Sequence, residues 1–112
     1  MSCEEEDRLL VGDWQATVIT LGGDTLPVDA SQVGFRFTDT RRYHYRSTLR
    51  YEEAGTWRYD NGYLFAQDTT EPDSDQRVAA IELLNVDSLV LRMRSDSLDQ
   101  IMTLLRTSPP PE

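Results

Sequence analysis

From Asp13 onward, apolar and polar residues alternate along most of the chain. The pattern is clearest over Arg42–Tyr51. There Tyr43, Tyr45, Ser47, Leu49 and Tyr51 share one face, and Arg42, His44, Arg46, Thr48 and Arg50 share the other. A period of two with one apolar and one charged side marks a half-buried antiparallel strand. Ser88–Arg94 repeats it, with Leu89, Leu91 and Met93 set against Val90, Arg92 and Arg94. The same reading predicts strands at Asp13–Thr20, Gly34–Thr38, Gly55–Tyr59, Tyr63–Asp68, Arg77–Leu84 and Gln100–Arg106. No stretch of helical period separates these strands, which argues against a parallel βαβ fold. Only Glu4–Val11 reads as one or two helical turns, with Leu9, Leu10 and Val11 placed to plug one end of the sheet.

Short strands in series close most naturally as an up-and-down antiparallel eight-stranded β-barrel, an all-β single domain. In such a meander alternate connections share an end. The long connections Leu21–Val33 and Thr69–Gln76 fall together, as does the short connection Glu52–Ala54, and the tight turns Asp39–Arg41, Asp60–Gly62 and Asn85–Asp87 fall opposite. One end is therefore expected to be sealed and the other to be a working mouth. Asn61-Gly62 can turn in two ways. A two-residue turn pairs Trp57 with Ala66 and Tyr59 with Leu64; a three-residue turn with a glycine bulge pairs Trp57 with Phe65 and Tyr59 with Tyr63. The second is expected, because it keeps Tyr63 and Phe65 out of water. The domain organisation is a tether at 1–8, a barrel at 9–106 and a Pro-rich tail at 107–112.

Composition narrows the function. The net charge is −9, and the cationic residues are all Arg, with no Lys. Such acidity argues against nucleic acid and anionic lipid as partners. Missing Lys fits a GC-rich genome, or a surface adapted to high salt. The one Cys excludes an intrachain disulfide and a Cys-based zinc site. No apolar run approaches the ~20 residues of a membrane helix, and no apolar signal segment precedes Cys3.

Three stretches carry a family likeness: Leu10-Val11-Gly12-Asp13-Trp14, the hairpin from Gly55 to Gly62, and Ile81 through Leu91. Together they resemble the bacterial lipocalin-like (calycin-type) lipoproteins over nearly the whole chain. The resemblance implies structural roles for Gly12, Trp14 and Arg106. Gly12 would bend the chain into the barrel, Trp14 would lie across its closed end, and the Arg106 guanidinium would stack on the indole. Cys3, followed by Glu4-Glu5-Glu6-Asp7, looks like the mature start of such a lipoprotein. That implies a lipid on Cys3, a place on the bacterial cell envelope, and membrane contact through that anchor alone. The chain lacks the helix that follows the barrel in larger lipocalins, and its short strands leave the interior small or filled by side chains.

The barrel reading implies non-covalent binding of a small apolar or amphipathic molecule, with a filled interaction or structural lipoprotein as the alternative. Val18, Phe35, Leu49, Trp57, Phe65 and Met93 are expected to line the mouth, with Leu26 and Val28 folding over as a lid or stapling the loop. His44 shares a face with Arg42 and Arg46 and is expected to point outward. Arg42, Arg46 and Arg50 are expected to pair with carboxylates on neighbouring strands. The acidic loop residues Glu71, Asp73 and Asp75 lack calcium-loop spacing. No nucleophile elbow or His-centred constellation is present, so no catalysis, metal or cofactor is expected.

Overall fold

The computed structural model describes residues 8–27, 29–48, 51–70, 76–95 and 97–107. Residues 8–10 are helical. The strands are β1 (Gly12–Leu21), β2 (Asp24–Thr25), β3 (Gly34–Phe37), β4 (Arg42–Arg46), β5 (Glu52–Asp60), β6 (Tyr63–Asp68), β7 (Arg77–Leu84), β8 (Ser88–Ser95) and β9 (Leu98–Arg106), with a 3₁₀ turn at Ala30–Gln32. β2 is a two-residue return on the end of β1. The other eight strands form an antiparallel meander in chain order, and β1 pairs with β9 to close it. Closure matters physically, because it leaves none of these strands with an unpaired edge. The expected eight-stranded up-and-down barrel is the observed one.

The chain directions define the two ends. The β3–β4, β5–β6 and β7–β8 turns lie at the same end as residues 8–10. The connections from β1 to β3, β4 to β5, β6 to β7 and β8 to β9 lie at the other. Leu10 is fully buried and plugs the first end, where the Trp14 indole Nε1 donates to its carbonyl at 2.9 Å. Interior side chains form one continuous cluster from Leu10, Trp14 and Leu104 through Tyr43, Leu91 and Met102.

Four sequence expectations are corrected by cross-strand fit. The strand beginning at Arg42 ends at Arg46, and the next begins at Glu52 rather than Gly55. Glu52, Glu53 and Ala54, expected to be a connection, are strand residues paired with Arg46, Tyr45 and His44. The Asn61-Gly62 turn takes the two-residue form, pairing Trp57 with Ala66 and Tyr59 with Leu64. Both turn residues have positive φ, at 51° and 87°, as the twist of a tight hairpin requires. Phe65 and Tyr63 consequently face outward. The Arg58 guanidinium lies 4.0 Å from the Phe65 ring centre and covers it, which lowers the penalty at Phe65 that favoured the bulged register, while Tyr63 stays exposed.

A bulge in β1 is the third correction. Ala16 pairs with Leu104 but Val18 pairs with Thr103, so Thr17 is an extra residue. The inserted residue reverses the alternation. Ile19 takes the interior position, and Val18 is 44% exposed on the outside. The fourth concerns Arg46, which reaches not a carboxylate but the Gln15 side-chain oxygen at 2.7 Å. Gly34 lies between them in the sheet, paired to both. A Cβ there would meet the guanidinium at 2.8 Å, so the missing side chain is what lets Arg46 cross a strand. Other outer-face side chains do find carboxylates, with Arg36 on Asp13 at 2.6 Å and the exposed His44 Nε2 beside Glu52 at 3.1 Å.

Candidate functional site

The sealed end is built from residues the sequence singles out. Trp14 and Arg106 are direct cross-strand partners on β1 and β9. The Arg106 guanidinium lies 4.3 Å from the Trp14 ring centre and donates to the carbonyls of Val11 (2.7 Å), Val86 (2.6 Å) and Leu9. It thereby ties the segment before β1 to the β7–β8 turn. Burial pushes its pKa down, because its acceptors are neutral carbonyls. Gly12, at φ 137°, takes a backbone conformation open mainly to glycine and turns the chain into β1.

Trp57 belongs to this end too, not to the mouth. Its indole is 3% exposed, donates to the Thr38 carbonyl at 3.1 Å and packs edge-on against Phe37. Of the residues expected at the mouth, Phe35 and Met93 are there. Val18 and Phe65 face outward, for the reasons given above. Leu49, Val28, Cys3, Arg50, the acidic loop residues Glu71, Asp73 and Asp75, and the Pro-rich tail lie outside the described residues. Leu26 is half-buried against the core, and its N–H donates to the Ile19 carbonyl at 2.9 Å, so it staples the first long loop.

The open end holds a cavity of about 70 Å³ lined by Phe35, Tyr45, Arg77, Met93, Gln100 and Met102. Phe35 and Tyr45 pack with ring centres 4.7 Å apart and supply one aromatic wall. Gln100 and Met102 were legible in the alternation of β9, which puts them on the face of Leu104 and Arg106. Arg77 was likewise legible from its spacing to Ala79 and Ile81. A second, wider groove of about 530 Å³ runs outside the mouth past Gln32, Arg46, Ser47, Tyr51 and Glu52.

Beside the cavity lies a charged cluster. Glu53, 2% exposed, accepts from the Tyr43 hydroxyl at 2.5 Å and the Tyr51 hydroxyl at 2.8 Å. Arg77 donates to it from Nε (3.0 and 3.2 Å) and from Nη2 (2.8 Å). Burial alone would raise the Glu53 pKa, but the bonds from Arg77, Tyr43 and Tyr51 outweigh it and hold the carboxyl below its usual value. Burial, then the bond to Glu53, pushes the Tyr43 hydroxyl well up, and the same carboxylate raises Tyr51 and Arg77. A carboxylate can be buried this way only because its lone pairs are all engaged. Placing Glu53 in a turn hid it, although Glu53, Gly55, Trp57 and Tyr59 continue one alternating face. Gly55 is required there, since a Cβ would come within 1.8 Å of the Gln67 carbonyl oxygen across the β5–β6 pair.

Among the described residues, no group of His, Cys, Asp and Glu could hold a metal ion, and no helix is long and apolar enough to cross a membrane. No family model matches the sequence, and no curated protein matches it. Among solved structures the chain is similar to a lipocalin-like protein from Bacteroides uniformis ATCC 8492. The TM-score is 0.68 at 16% identity, over 88% of this chain and 98% of that one. At that identity the likeness is one of fold: a closed eight-stranded lipocalin-like barrel.

Proposed function

We propose that the protein binds a small apolar or amphipathic molecule at the open end of its barrel. The observation that carries this reading is the asymmetry of the interior. Aromatic and aliphatic side chains fill it at the sealed end, while Phe35, Tyr45, Met93 and Met102 leave a cavity at the other. Apolar walls with a few placed polar groups are the usual make-up of a ligand site. At about 70 Å³ the cavity lies well below the ~300 Å³ of drug-sized pockets, so the ligand is small or enters only in part. The same reading takes the protein as a lipoprotein of the bacterial cell envelope, lipidated at Cys3, with binding rather than catalysis as its role. Intact mass of the protein taken from its host's membranes checks the lipid.

Native mass spectrometry of gently purified protein tests binding. A bound mass that disappears on denaturation, and is absent from a Met93→Trp variant that fills the cavity, supports the proposal. A bare mass in both overturns it. A bare mass would favour the second reading, a protein-interaction barrel. That reading draws on a mostly aliphatic row across the outer wall. Leu83, Val90, Thr103 and Val18 are consecutive cross-strand partners over β7, β8, β9 and β1, and Leu83 and Val18 are exposed.

A further inference from the structure

The polar groups at the cavity differ in what they can still accept or donate. Glu53 is saturated, since its two oxygens receive the Tyr43 and Tyr51 hydroxyls and the Arg77 Nε and Nη2 donors. It lies behind Arg77 and fixes the plane of the guanidinium. Arg77, by contrast, has a side chain 56% exposed and is the charged member of the cavity wall. A guanidinium carries five N–H donors; Glu53 takes one on Nε and one on Nη2, and the Tyr51 hydroxyl is a further partner of the guanidinium, which together account for three of the five. The Gln100 amide and the Tyr45 hydroxyl are the other polar groups in the lining, and the rest is Phe35, Met93 and Met102.

We propose that the open end takes a short-chain monocarboxylate, its apolar body between Phe35, Met93 and Met102 and its carboxylate on Arg77 and Gln100. This rests on the binding reading above and specifies its ligand class. A cationic head would meet the Arg77 charge with the Glu53 oxygens already occupied behind it. A neutral head would forgo a charge-assisted bond, roughly twice as strong as a neutral one. The net charge of −9 does not decide the matter. At physiological salt, charges beyond about 8 Å are largely screened, whereas the guanidinium acts at hydrogen-bond distance. The small cavity favours a short chain over a long acyl tail.

Hexanoate, 1-hexanol and hexylamine at pH 7 separate the head groups at constant chain length. Each is titrated into the full chain, and the ¹³C-methyl signals of Met93 and Met102 are followed by NMR. Hexanoate is expected to bind at least tenfold more tightly than the other two. In a Glu53→Gln/Arg77→Gln double variant, which removes both charges of the pair, the gap between hexanoate and hexanol is expected to close. Should that variant fold poorly, Arg77→Lys keeps the charge, loses the fork and is expected to narrow the gap several-fold. Equal binding of all three probes overturns the carboxylate assignment and leaves the cavity reading standing. Preference for hexylamine overturns it in favour of Glu53 as the receptor. No shift of either methyl with any probe overturns the cavity reading, and the carboxylate assignment with it.

Discussion

Each end of the barrel sets an arginine against the interior. At the sealed end Arg106 gives its hydrogen bonds to the carbonyls of Leu9, Val11 and Val86 and lies on the Trp14 ring. At the open end Arg77 gives its bonds to the buried carboxylate of Glu53 and leaves part of its surface toward a cavity. Neutral acceptors from separate segments make the first arginine a stitch, joining parts of the chain that no strand pairing joins. The charged acceptor makes the second an oriented group whose position is set by its partner. Packing secures one end, and a polar cluster around a buried carboxylate shapes the other.

The sharpest way to break this contrast is to truncate an aromatic at each end. Trp14→Ala is expected to cost about 3–5 kcal/mol, as for other fully buried large side chains, in urea denaturation followed by circular dichroism. Phe35→Ala, at a half-buried site beside an existing cavity, should cost roughly half of that or less. Equal costs would mean that the open end is packed as tightly as the sealed one.

Glu53→Ala is expected to cost about 2–3 kcal/mol, because two hydroxyls and a guanidinium lose their acceptor. Breaking a fully buried ion pair costs about 3–5 kcal/mol, and the smaller figure reflects an Arg77 exposed enough to rehydrate. Arg106→Met should follow at about 1–2 kcal/mol, from the lost bonds and the lost contact with Trp14.

A smaller effect separates the two ends by pH. The Glu53 pKa is held below its ordinary 4.5 in the folded protein. A lowered carboxyl pKa contributes stability above the unfolded value and loses it as pH falls through the folded one. The melting temperature should therefore fall below about pH 4.5, and less steeply in Glu53→Gln than in the parent. Arg106→Met should keep the parental slope, since Arg106 does not titrate in that range. The least effect, about 0.5–1 kcal/mol, is expected of Asn61→Ala, which loses a residue type suited to the positive φ of the hairpin turn.

The sealed end was more legible than the open one because its signals are local. Trp14 follows Gly12 by two residues, Asn61-Gly62 announces its own turn, and Leu10 lies just before the first strand. At the open end the decisive facts are relations between strands. Trp57 was expected at the mouth, although it stands only three residues before the Asp60–Gly62 turn, which lies at the sealed end. Glu53 was placed in the connection Glu52–Ala54; a carboxylate is costly to bury, and the groups that offset that cost come from β4, from Tyr51 and from β7. Gln100 and Met102 were visible in the pattern of β9, but nothing local said that they would face Phe35 and Tyr45.

By itself the sequence determined the all-β class, the number and order of the barrel strands, and the end at which each connection lies, while the contact of Trp14 with Arg106 was implied by the family resemblance. Period-two alternation and turn chemistry act within a few residues, so they can be read without knowing what lies opposite. Only the tertiary structure decided the register at Asn61-Gly62, the bulge that turned Val18 outward, and the burial of Glu53 against Tyr43, Tyr51 and Arg77. Each of these balances a local cost against a partner distant in sequence, and that partner is fixed only when the sheet closes.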